Sequence, residues 1–265
     1  MIKSKTMETP KTETQESSGS IQVIERLARL LDAIALHDND ASLKILSAET
    51  GLHPSTAFRI LASLSEQGFV ERTDKGNYQL GVKLMQLGSR VSSSVDIRKI
   101  ALPLMEKLRD TLGETINLTI REGDEVVYIE RSVAKRMMKV EQVIGSRAPL
   151  HVTAVGKLML GEEGEAACLN YAKRSKLPAY TVNTFSKATS LLQECMASIK
   201  RGYALDNEEA ELEVGCIGTL VRDATGQVVA GLSVSAPIER RREEWIALIM
   251  AAGKQLSQQL GYRPD

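Results

Sequence analysis

Apolar residues recur every three to four positions at Ile21, Ile24, Leu27, Leu31 and Ile34, which predicts a helix with one buried stripe. Ser20 is its expected N-cap, and the polar stretch at 37–40 ends it. A shorter helix should follow, capped by Ser42, carrying Leu43, Ile45, Leu46 and Ala48, and closed by Gly51 in the left-handed region. Pro54 then falls in the first turn of a third helix, where its missing N–H is no loss. Ala57, Ile60, Leu61 and Leu64 form the inward stripe of that helix, leaving Ser55, Thr56, Arg59 and Ser63 on the opposite, solvated face. Two short alternating runs, 69–72 and 78–80, flank a polar Gly-containing turn and read as a β-hairpin. Helix, short helix, turn, helix and hairpin make a winged helix-turn-helix.

Helical spacing resumes over 80–91 and 96–112, joined by Ser92, Ser93 and Ser94, with Pro103 inside the second helix, where loss of a hydrogen bond should kink it. Beyond Gly113 the period changes to that of strands: 115–120, 125–131 and 139–143, then 214–222 and 227–235 around turns containing Gly123 and Gly226. Helices are expected at 153–160, 190–201 and 243–260. The fold class is therefore α+β, with a helical linker leading into a domain built on an antiparallel sheet. The organisation expected is a disordered tail at 1–19, too polar to offset the entropy of ordering, the winged helix at 20–82, a linker at 83–112 and the sheet domain at 113–265.

Length agrees, since 265 residues correspond to about 1.8 domains of ordinary size. The chain balances 34 Lys and Arg against 34 Asp and Glu, so its global charge gives no reason to expect nucleic acid, membrane or an acidic partner. Aromatic residues are only 4%, too few for a platform that stacks single-stranded bases. No apolar run is long enough for a membrane helix and no secretory signal pattern opens the chain, so the expected location is cytoplasmic, with no membrane partner. Cys168, Cys195 and Cys216 are widely spaced and odd in number, so they are read as reduced thiols. His37, His53 and His151 have no partner at metal-ligand spacing, so neither a metal nor a cofactor is expected.

Local pattern must then carry any claim on DNA. The second helix of a helix-turn-helix lies in the major groove, where short polar side chains and arginine reach phosphates and base edges. Arg59 suits a guanine edge or a phosphate; Ser55 and Thr56, at the helix start, suit phosphate oxygens; Ser63 extends the face, and Arg26 on the first helix is a further contact. Residues 50–65 include no acid, although residues 20–90 as a whole hold eight basic and eight acidic side chains. Affinity per subunit should be low, and dimerisation is the usual remedy. The competing reading is a metabolite-binding or catalytic protein whose winged helix only mediates assembly; salt-dependent retention on duplex DNA separates the two.

These residues also carry a resemblance. Ser42-Leu43-Lys44, Gly51-Leu52-His53-Pro54-Ser55-Thr56-Ala57-Phe58-Arg59-Ile60-Leu61 and Tyr78-Gln79-Leu80-Gly81 resemble the DNA-binding domain of IclR-family transcriptional regulators. Further on, Gly113-Glu114-Thr115-Ile116-Asn117-Leu118, Val126-Val127-Tyr128-Ile129, Gly145-Ser146-Arg147-Ala148-Pro149-Leu150-His151-Val152-Thr153-Ala154-Val155-Gly156-Lys157, Arg201-Gly202-Tyr203-Ala204 and Val228-Val229-Ala230-Gly231-Leu232-Ser233-Val234-Ser235 resemble that family's effector domain in order and spacing. The resemblance implies a GAF-like effector domain, a homodimer or tetramer, a double-stranded operator, and control of a catabolic operon, with repression the favoured sign, by a small organic acid or aromatic carboxylate. It places the effector against Ala154, Val155, Asp206, Cys216, Ser233 and Ser235. Ser233 and Ser235 are two apart on a strand and so share a face, and the helix opening near Thr153 offers free N–H groups to a carboxylate. One departure falls in this region: Cys216-Ile217-Gly218-Thr219-Leu220 stands where the family usually has Cys-Ile-Ala-Ala-Pro.

Other patterns have ordinary readings. Gly156-Lys157 lacks the remainder of a phosphate-binding loop, with His151 and Leu158 at the deciding positions. Ser233, His151 and Asp206 lack the nucleophile elbow of a hydrolase, so no catalytic residue and no enzymatic activity is expected. The histidines are expected at the surface or in turns. Asp206 could be a solvated loop acid, Arg240, Arg241 and Arg242 lie among acids and read as a solvated helix entrance, and Trp245 is core or subunit contact.

Overall fold

The computed structural model describes residues 22–92 and 96–263. The expected Ser20 cap, Ile21, the tail at 1–19 and the serines at 93 and 94 lie outside them. The chain divides into two compact units, 1–95 and 96–265.

In the first unit α1 (Gln22–Leu36), α2 (Leu43–Thr50) and α3 (Pro54–Glu66) precede a hairpin of β1 (Val70–Arg72) and β2 (Tyr78–Leu80), and α4 (Val82–Ser92) follows. A bridge from Ala41 to Tyr78 ties the loop before α2 to the wing. The Ser42 hydroxyl accepts from the Ile45 amide, and Gly51 ends α2 at φ +66°, a backbone region that favours glycine. Leu30, Ile34, Leu46, Ala57, Leu61, Leu64, Val70 and Tyr78 form the core. The α1 stripe is centred on Leu30 and Ile34, and Ile24, about 120° around the helix from Leu30, is 57% exposed rather than buried.

The second unit opens with α5 (Ile97–Leu112), followed by β3 (Thr115–Glu122), β4 (Glu125–Ser132) and β5 (Arg147–Pro149). Then come α6 (Ala154–Glu162), α7 (Glu165–Ser175), α8 (Ala188–Arg201), β6 (Ala204–Asn207), β7 (Val214–Arg222), β8 (Val228–Pro237) and α9 (Trp245–Gln259). The strands form one sheet in the order β5-β4-β3-β8-β7-β6, every neighbouring pair antiparallel. Alternation sorts the two faces. Ile116, Leu118, Ile217, Leu232 and Val234 pack against α5 and α9, while the intervening residues face α6.

Four sequence expectations change here. Helix α5, expected in a linker, buries Ala101, Met105, Leu108 and Leu112 in the core of the second unit, and it runs on through Pro103. The segment 139–143 is not a strand: Val143 is 66% exposed, so its alternation has no face to cover, and β5 forms at 147–149 instead. Helix α7 and strand β6 were not foreseen. The arginines at 240–242 are not a solvated entrance, because Arg240 grips the buried Glu114 carboxylate through two hydrogen bonds of 2.7 and 3.1 Å. Arg241 donates to the Asp206 carbonyl at 2.7 Å.

Candidate DNA-reading face and effector cluster

Helix α3 starts with an unusual cap. His53 Nδ1 accepts from the Ser55 amide and lies 2.8 Å from the Ser55 hydroxyl, with Pro54 at the first helical position. This anchors Ser55 at the helix start, exposed but engaged with His53. Thr56, Arg59 and Ser63 lie within about 60° of one another around the helix. They line one cleft of about 470 Å³ with Arg26 of α1. Arg59 and Ser63 are exposed, while Thr56 and Arg26 are half-buried. Arg26 is steadied by donating to the Gln22 side chain at 3.1 Å. Four of the five predicted residues therefore converge, and Ser55 stands beside them. The His53 cap and the 47% exposed ring of Phe58 were not foreseen; a histidine just before Pro54 was the available signal.

In the second unit the six predicted effector residues come together where α6 meets the sheet. Thr153 caps α6, its hydroxyl accepting from the Gly156 amide at 3.1 Å. The amides of Ala154 and Val155 precede any carbonyl of their own helix and are its free donors. Glycines let α6 sit this low: a Cβ on Gly218 or Gly231 would come within 2.7 Å of the Val155 side chain. The departure at Gly218 is thus matched by Val155, which fills the space above it.

Strand register assembles the rest. Asp206 pairs with Cys216, Cys216 with Ser235, and Asn117 with Ser233. The Cys216 thiol lies 3.2 Å from the Ser235 hydroxyl, which accepts from Asn117 Nδ2 at 3.0 Å. Asp206 is 3% exposed, which excludes the solvated-acid reading. Its carboxylate accepts the Glu209 amide at 2.8 Å, yet burial pushes the carboxyl above its usual range, with that hydrogen bond and Lys157 pulling it back. Next to it Lys157 and Glu209 form a fully buried ion pair at 2.5 Å, with the ammonium 4.8 Å from the centre of the Phe185 ring. Burial pushes Glu209 up to about 7 against the pull of Lys157.

Lys157 is thus committed to Glu209 and is not a phosphate ligand. His151 is also misread by sequence: it is fully buried, bonded to the Tyr171 hydroxyl at 2.7 Å and the Pro178 carbonyl at 3.1 Å. Asn117, Lys157 and Glu209 are cluster residues that the sequence did not assign to the effector site. Polar Asn117 and Thr119 in a strand whose alternate positions are apolar were the legible sign.

Asp206 and Glu209 both hold protons more tightly folded than unfolded. The stability this contributes is present at about pH 4 and is lost as pH rises through about 7. Guanidinium unfolding followed by fluorescence of Trp245, the single tryptophan, should show the wild type losing roughly 2 kcal/mol more stability between pH 5 and 8 than the Asp206→Asn, Glu209→Gln double variant, a difference from which the opposite slope of the buried His151 cancels. Asp206→Asn should flatten part of that slope; an unchanged slope would exclude Asp206 as a contributor.

A winged helix-turn-helix joined in one chain to an α+β domain with a buried polar cluster defines a ligand-responsive DNA-binding regulator. The family model for the IclR helix-turn-helix domain matches residues 23–74, and that for the C-terminal part of the bacterial transcriptional regulator IclR matches 89–262. The chain belongs to the IclR family of transcriptional regulators. It is 34% identical to the HTH-type transcriptional regulator XynR of Escherichia coli K12, covering 91% of this chain and 98% of that one. It is 28% identical to the transcriptional repressor IclR of the same organism, covering 94% and 93%. A crystal structure of an IclR-type regulator from Silicibacter sp. TM1040 superimposes with a TM-score of 0.84 at 22% identity, over 92% of this chain and 97% of that one. An IclR homologue of Microbacterium hydrocarbonoxydans, 23% identical over 90% of this chain and 98% of its own, shares the fold at a TM-score of 0.59 and was crystallised with 4-hydroxybenzoate. The matched proteins are transcriptional regulators, not enzymes, and no helix among the described residues is long and apolar enough to cross a membrane.

Proposed function

We propose that this regulator reads its operator with Ser55, Thr56, Arg59 and Ser63 of α3, helped by Arg26, and that a small organic acid bound against Ala154, Val155, Asp206, Cys216, Ser233 and Ser235 controls a catabolic operon, by repression. The observation that carries the effector half is the convergence of these buried polar groups beneath the free amides of α6. The ligand of the Microbacterium homologue, a carboxylate, supports the same class. A homodimer or tetramer presents two or more reading heads, which offsets the balanced charge of each. The effector acts by favouring one arrangement of those heads, and it can do so only through different affinities for the two arrangements.

Ser235→Ala tests the effector half. Calorimetric titration with oxo acids of two to four carbons and with 4-hydroxybenzoate should show affinity reduced roughly tenfold, because Asn117 and Cys216 lose a shared partner. Affinity for DNA should be unchanged. Equal acid affinity in the variant and the wild type would remove Ser235 from the site.

A further inference from the structure

Asn117 is fully buried on the sheet face that carries Ser233 and Ser235. Its amide nitrogen is used, donating to Ser235, but its Oδ1 has no hydrogen-bond donor. Buried polar atoms in folded proteins are nearly always paired, and one that is not calls for a specific reason. Packing gives none, because β3 already delivers Ile116 and Leu118 to the hydrophobic core from its other face. Ser47 and Ser65, in the first unit, and Gln142, in the segment before β5, also hold unpaired buried atoms, but none of them is on a strand or helix of the cluster.

Asn117 pairs with Ser233 and Ser233 with Gly218, where a Cβ would lie 3.1 Å from the Val155 nitrogen, so two complementary demands fall on one sheet face beneath α6. The amides of Ala154 and Val155 need an acceptor, and Asn117 Oδ1 needs a donor. We propose that Asn117 is a specificity residue of the effector cluster, and that the effector is a hydroxy acid: its carboxylate accepts from the start of α6 while its hydroxyl donates to Asn117 Oδ1. This rests on the acid-binding reading above and narrows it. A plain carboxylic acid of the same size satisfies the helix end and leaves the asparagine oxygen unpaired, and discrimination follows from that difference. The site is confined, since Val155 already occupies the space above Gly218 and Gly231.

The test uses the full-length chain and matched acids that differ by one hydroxyl: lactate against propionate, and 4-hydroxybenzoate against benzoate. Isothermal titration should show the hydroxy member binding roughly tenfold or more tightly in at least one pair. Asn117→Leu, close in size and unable to accept, should equalise that pair, and Asn117→Ser should restore part of the preference. Unfolding followed by Trp245 fluorescence should show Asn117→Leu folded and no less stable than the wild type, an outcome that a purely structural asparagine would not give. Equal affinity for both members in the wild-type protein would overturn the hydroxy-acid inference and leave the acid site standing. Binding of none of the four acids, nor of the oxo acids of two to four carbons, would overturn both.

Discussion

Replacing Lys157 with methionine is expected to lower the stability of the second unit by about 3–5 kcal/mol at pH 8. The ammonium is fully buried and Glu209 is 2% exposed, so the substitution strands a carboxylate beside Asp206, a second buried acid. Methionine fits the volume, so the loss comes from the orphaned charge and not from a cavity. At pH 5 the penalty should shrink, because a buried carboxyl without its partner takes up a proton. Adding Glu209→Gln should recover most of the loss, since replacing both members of a buried pair costs far less than removing one. Guanidinium unfolding monitored at Trp245 gives all three numbers. Equal stability of wild type and Lys157→Met at pH 8 would mean that the pair does not hold α6 to the loop after β6.

Arg59→Ala is expected to weaken operator binding by about 1–3 kcal/mol for each reading head in contact. Arg59 projects from α3 into the cleft shared with Arg26, whose lining holds no acid, and among the described residues no ion pair ties either side chain to a carboxylate. If it reads a base, the loss falls on the operator and leaves binding to unrelated duplex nearly unchanged. If it grips a phosphate, affinity falls alike for all sequences and the salt slope drops by about 1. Effector affinity should be unaffected in either case. Equilibrium binding to a selected operator and to a scrambled duplex at several salt concentrations distinguishes these outcomes.

The winged helix was legible because each of its elements carries its own punctuation: Ser42 and Gly51 bracket α2, Pro54 opens α3, and the wing turns on a polar, Gly-containing stretch. The shared outward face of Thr56, Arg59 and Ser63, proposed above to read DNA, followed from helical spacing alone. In the second unit the long strands β3, β4, β7 and β8 were equally plain, but β6 spans four residues and α7 has a weak apolar stripe, so neither stood out. The segment 139–143 shows the reverse failure, an alternating pattern without a partner surface. Ser233 and Ser235 could be placed on one face from their spacing. Asn117 could not be joined to them, because the β3–β8 pairing links residues more than a hundred positions apart. Distance along the chain also hid the Lys157–Glu209 pair, 52 positions apart, and the grip of Arg240 on Glu114, 126 apart.

Photocrosslinking to a selected operator, from a benzophenone side chain placed in turn at positions 55, 63 and 75, tests the reading face most directly. Positions 55 and 63 should crosslink to DNA inside the protected site, at a yield that falls with salt, while position 75 in the wing turn should reach only flanking backbone. Crosslinks from 55 and 63 to a second protein subunit, with none to DNA, would contradict the assignment of α3 as the element that enters the groove.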